Sequence, residues 1–148
     1  MKNKMKKAQA AMEFMMTYGW TILVIIIAGG ALVYFDVLNP GKFLPDSCNI
    51  EGFTCTDFKL DKNYLQLYIT NNIGDDIAIT NITFGSAFND TSMNMQLGKS
   101  KKMSIDVSGL TLEAGGRYKA DIKIKFSTLN SGITHTNTGE IATIVEES

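Results

Sequence analysis

Residues 6–35 read KKAQAAMEFMMTYGWTILVIIIAGGALVYF. Phe14 to Phe35 is a run of 22 residues without a charge, bordered by the carboxylate of Glu13. About 20 apolar residues in a helix match a hydrocarbon core about 30 Å thick. A helix of a water-soluble domain shows an apolar stripe, whereas Leu23 to Ile27 has no polar side at all. The stretch therefore reads as a membrane segment. Trp20 and Tyr34 are candidate interfacial aromatics, with Trp20 rather deep for that place. Lys2, Lys4, Lys6 and Lys7 precede the span and orient the N-terminus to the cytoplasm, which puts everything after the helix outside. The plainer alternatives are an ordinary single-pass anchor and a buried core helix.

A secretory signal has a shorter apolar run with small residues marking a cut behind it. Here the run is too long, and no such site follows before Asn39-Pro40. A processing site is legible on the other flank, at Lys6-Lys7-Ala8-Gln9, with Glu13 four residues further on. This pattern resembles the class III signal peptide of archaeal type IV pilins: basic residues, Gly or Ala before the cut, Gln at the first mature position, Glu at the fifth, then an apolar run. Ala11 stands at the third position, where the family often has Ser. The resemblance covers Lys6 to about Pro45. It implies that a prepilin peptidase cuts between Ala8 and Gln9, and that the helix stays on the mature chain.

Under that resemblance, Glu13 pairs with the new ammonium group of Gln9 on its own or a neighbouring subunit, because opposite charges attract strongly in a low dielectric. The plainer reading leaves Glu13 in the headgroup zone, where an acid suits a helix N-terminus. Ala28, Gly29, Gly30 and Ala31 form a patch of small residues that lets helices approach closely in lipid. The alternative is local flexibility, since paired glycines weaken a helix.

The expected organisation is a basic leader over residues 1–8, an assembly and transmembrane helix over 9–38, a linker over 39–47, and an extracellular head over 48–148. Asn39-Pro40-Gly41 is the expected stop of the helix, and Phe43-Leu44-Pro45 the expected linker packed on the head. Removing the leader takes four of the 14 basic residues, leaving 10 against 15 acidic ones, a net charge of −5. That balance does not suit nucleic acid.

Cys48 and Cys55 are the only two cysteines. Outside the cell a disulfide between them persists; a metal site or two free thiols are the alternatives. After Thr54 the pattern is alternating strands. Leu65, Leu67 and Ile69 share a face. Ile77, Ile79, Ile82 and Phe84 make a strand with a bulge near Asn81. Ala120, Ile122, Ile124 and Phe126 face one way, and Thr134 to Val145 closes a hairpin through Asn130-Ser131-Gly132. Ala87 to Gly98 has no clean period and reads as a long surface loop or an irregular strand. Six or seven antiparallel strands suggest an immunoglobulin-like β-sandwich behind a long helix, an α+β chain.

Asn81-Ile82-Thr83 and Asn89-Asp90-Thr91 match the N-glycosylation pattern, with ordinary turn or edge asparagines as the alternative. His135 has no nucleophile or acid at motif spacing, and Asp75-Asp76 is better read as a solvated turn than as a Ca²⁺ site. No enzyme, cofactor or metal is expected. The resemblance implies a homopolymer built in the cytoplasmic membrane with a prepilin peptidase, a platform protein and an assembly ATPase, then displayed as an extracellular adhesive filament. An archaellin-type filament subunit and a membrane-anchored surface binding module are the alternatives.

Overall fold

The computed structural model describes residues 2–38 and 40–148, so Met1 of the expected leader and Asn39 of the expected stop lie outside the described residues. The chain forms two compact units, Met1–Leu44 and Pro45–Ser148. It is an α+β chain: one long N-terminal helix, then an all-β head of eight strands.

Helix α1 runs over Lys2–Tyr34, so it begins within the basic leader and ends short of the expected residue 38. Its stop is Asp36, not Pro40. Asp36 has φ 55, the left-handed conformation that short polar side chains tolerate. The Asp36 N–H donates to the Val33 carbonyl at 3.0 Å and the Val37 N–H to the Leu32 carbonyl at 3.1 Å. This is a Schellman motif with Asp in the usual place of Gly. Pro40–Lys42 form a short 3-10 turn beyond it. The expected packing of the linker is seen from Pro45 onward. Its carbonyl accepts the Arg117 guanidinium at 2.7 Å, and Asp46 lies 3.6 Å from the same side chain. Phe43 and Leu44 are exposed.

The head strands are β1 (Ser47–Ile50), β2 (Phe53–Asp61), β3 (Tyr64–Asn71), β4 (Ile77–Phe84), β5 (Ala87–Met95), β6 (Ser100–Asp106), β7 (Arg117–Thr128) and β8 (Thr134–Glu146). They form one hydrogen-bonded sheet in the order β5-β4-β7-β8-β1-β2-β3-β6, which folds over its own core as a sandwich or barrel. Neighbours are antiparallel except at Leu60 and Asp61, where β2 reaches past the end of short β1 to run parallel to β8.

Two bulges explain the hydrophobic pattern. Ile79 and Ile82 are three apart, and in a regular strand they would face opposite sides. The register shift between Ile79 and Asn81 restores both to the core, where both are buried. A second shift between Cys55 and Asp57 does the same for Cys55 and Phe58, which pack against the core from β2. The segment from Ala87, expected as a long surface loop or an irregular strand, is a strand: the nine residues of β5, paired with β4 through a register shift. It was hard to read because its inward side chains before Met95 are small, polar or only half-buried, so no apolar period shows.

The β3–β4 turn hangs on Asn71, which is fully buried. Its Nδ2 donates to the Asp75 carbonyl at 2.9 Å and the Met95 carbonyl at 3.2 Å, and its Oδ1 accepts the Ile73 N–H at 3.0 Å. One side chain thus joins this turn to the end of β5. We expect Asn71→Ala to destabilise the head by about 3 kcal/mol, because truncation removes three hydrogen bonds to main-chain groups, one of them buried and two part-buried. Amide exchange of the β3 and β4 core in the full chain, held in detergent micelles, should quicken by about two decades. Wild-type protection would show that the turn stands without this hub.

Candidate functional site

The candidate site is the helix itself. Its uncharged part, the 21 residues from Phe14 to Tyr34, has no buried member. It is long and apolar enough to cross a membrane. Ile25, Ile26 and Ile27 are all more than half exposed, as are Trp20 and Val33. At about 25 cal/mol per Å² of apolar surface, such a face is stable only in lipid or against other apolar surfaces.

Gln9 and Glu13 are four apart and therefore lie one above the other on one face. With Ala8, Met12, Met16 and Thr17 they share one side of the helix. The Phe14 and Tyr18 rings follow the same spacing, with centroids 4.6 Å apart. Lys2, Lys4, Lys6 and Lys7 occupy the turns before this face, so the charge changes sign across Ala8-Gln9. In the small patch, a Cβ built on Gly29 or Gly30 meets nothing within 4 Å, and neither glycine has a positive φ. No feature of the single chain therefore requires glycine at either position.

The disulfide is formed: Cys48 and Cys55 join β1 to β2 with Cα atoms 6.0 Å apart. It closes a loop of about eight residues, for which the chain-entropy relation gives about 2.5 kcal/mol. Asn81 sits at the β4 bulge between β5 and β7. Asn89, expected in a loop, lies in β5, with its carboxamide bonded to the main chain of Asp106. His135 is exposed and stacks on the Phe126 ring across the β7–β8 pair. Asp75 Oδ1 accepts the Asp76 N–H within its own turn, and Asp76 Oδ1 accepts the Leu97 N–H of the β5–β6 turn, each at 2.8 Å. Among the described residues no group of three or more His, Cys, Asp or Glu is placed to hold a metal.

Gly139 escaped the sequence reading. It lies in β8 opposite Ile50, and an isolated glycine inside an alternating strand is the signal that marks close backbone approach. No protein-family model matches the chain, and no curated protein does.

Proposed function

We propose that this chain is a structural subunit of an archaeal type IV pilus. One observation carries the reading: an uncharged helical run of 21 residues, Phe14 to Tyr34, with no buried member, followed by a head with its own hydrophobic core. The apolar surface needs a membrane first and copies of itself afterwards. In this reading, prepilin peptidase cuts between Ala8 and Gln9, removing four lysines and leaving a cationic amino group on Gln9. Glu13, on the same helical face, is the counter-charge for that group in the same or the next subunit. A platform protein and an assembly ATPase then draw the helix out of the membrane into a helical bundle sheathed by β heads. A head-to-tail contact that does not close produces such a filament. The adhesive role rests on the exposed heads.

The test is intact-mass and N-terminal peptide analysis of material sheared from the cell surface. A sedimentable fraction whose chains begin at Gln9 is the expected result. Chains beginning at Met1 and confined to membranes would overturn the proposal in favour of an anchored binding module. A sheared filament that rotates would move it to the archaellin class.

A further inference from the structure

The eight-stranded sheet has two edges, β5 and β6, and they are consecutive strands joined by the turn at Leu97-Gly98. No main-chain bond pairs them in the sheet, although elsewhere in the head consecutive strands β2–β3 and β7–β8 do pair. Side chains fill the gap. Near the turn, Lys101 Nζ donates to the Asn94 carbonyl at 3.3 Å. At the far end, Asn89 Nδ2 donates to the Asp106 carbonyl at 2.9 Å, and Asn89 Oδ1 accepts the Asp106 N–H at 3.0 Å. The two contacts lie symmetrically about the turn. The Val107 N–H is bonded on the other side, to Asn63 on the connection into β3, at 2.8 Å. Asp106 therefore offers both of its main-chain groups to β5. The Asp106 carboxylate is fixed by Ser108, whose N–H donates to it at 2.9 Å and whose hydrogen bonds hold it below the usual carboxylate range.

The pairing dictates the amide's geometry. A carboxamide that binds the N–H and the C=O of one extended residue must use its oxygen and the Nδ2 hydrogen cis to that oxygen. An N-glycan also occupies that position. Glycosylation forms an Nδ2–C1 bond in place of one N–H bond, with the polyprenyl diphosphate of the sugar donor leaving and the proton released. The product is a secondary amide, planar and trans, which sets C1 trans to Cβ and hence cis to Oδ1.

We infer that Asn89 is the latch closing the β5–β6 seam, and that this use excludes a glycan: the sequon Asn89-Asp90-Thr91 is closed to modification in the folded head. The observation is the two-point bond from Asn89 to the main chain of Asp106.

The test reads the full chain in detergent micelles by amide exchange and peptide mass. Asn89→Ala should speed exchange of the Asp106 amide at least tenfold, while Thr91→Ala, which destroys the sequon and leaves the latch, should not change it. Equal exchange in wild type and Asn89→Ala would overturn the latch. Next, the folded chain is incubated with a purified oligosaccharyltransferase and a lipid-linked oligosaccharide. Wild-type Asn89 should remain unmodified. Asp106→Pro removes the N–H facing β5 together with the carboxylate that accepts the Ser108 N–H, at a strand edge where proline is tolerated, and should raise glycan incorporation at Asn89 at least tenfold. Wild-type and Asp106→Pro chains modified at Asn89 to equal extent, high or low, would overturn the exclusion.

Discussion

Gly139→Ala is expected to cost the head 3 kcal/mol or more, on the order of the largest overpacking effects. A Cβ at this position would stand 2.3 Å from the Asn49 carbonyl oxygen and 2.6 Å from the Ile50 Cα. Both are main-chain atoms, so no rotamer change relieves the contact. The neighbour that has to move is β1, and β1 is held from both sides. It pairs with β8 from Ser47 through Ile50, and the disulfide ties it to β2. In the sheet order, β8 and β1 are the junction between β5-β4-β7-β8 and β1-β2-β3-β6. A shift there opens the sheet at its middle. Gly109→Ala is the control. It has no positive φ and nothing within 4 Å of an added Cβ, so its effect should stay within about 0.5 kcal/mol. Amide exchange of core residues such as Ile69 and Ile124 in the full chain measures both. The expected outcome is more than a hundredfold quickening for Gly139→Ala and near-wild-type protection for Gly109→Ala. Wild-type protection in both would mean that β1 moves freely against β8, contrary to the close approach described here.

The same junction shows what the sequence made legible and what it did not. Strands with a large apolar inward face could be read directly: Leu65, Leu67 and Ile69, or Ile122, Ile124 and Phe126, are buried as their alternation requires. The bulge near Asn81 was also legible, because two apolar pairs out of phase need one extra residue between them. β1 was missed because it is only four residues long and is set by its partners more than by its own pattern. β5 reads equally as loop or irregular strand because its closure is polar: Asn89 and Asn94 act through a carboxamide and a main-chain carbonyl, which leave no hydrophobic period. The helix end was misplaced for a different reason. Pro40 is a strong breaker, but Asp36 meets the chain first and accepts the left-handed turn at a modest cost. At the candidate site, the shared face of Gln9 and Glu13 follows from their four-residue spacing alone.

Replacing Gly29 and Gly30 with leucine is expected to abolish filaments while leaving the chain inserted in the membrane and its head folded. The reasoning begins with a cost. Glycine in a helix interior is less favourable than alanine by about 1 kcal/mol per residue. The single chain receives nothing in return at these positions, since neither has a positive φ and an added Cβ would meet nothing within 4 Å. A compensating contact between copies is what the proposed filament supplies. Small residues at Ala28 to Ala31 bring helix backbones close where lipid offers no hydrophobic drive to associate. Leucine keeps the segment apolar and helical, so insertion is preserved, but it fills the space between neighbours. The Gly29→Ala, Gly30→Ala pair separates the two effects: it should strengthen the isolated helix by about 2 kcal/mol yet weaken assembly, in the order glycine, alanine, leucine. Sheared, sedimentable material counted by electron microscopy, beside the chain retained in membranes, gives both readouts from one culture. If the leucine pair yields as much filament as the parent, the small patch lies outside the filament core and the glycines serve flexibility. If the parent itself yields no filament, the pilus reading fails before the patch is reached. The graded series therefore tests where the helices touch, separately from whether they assemble.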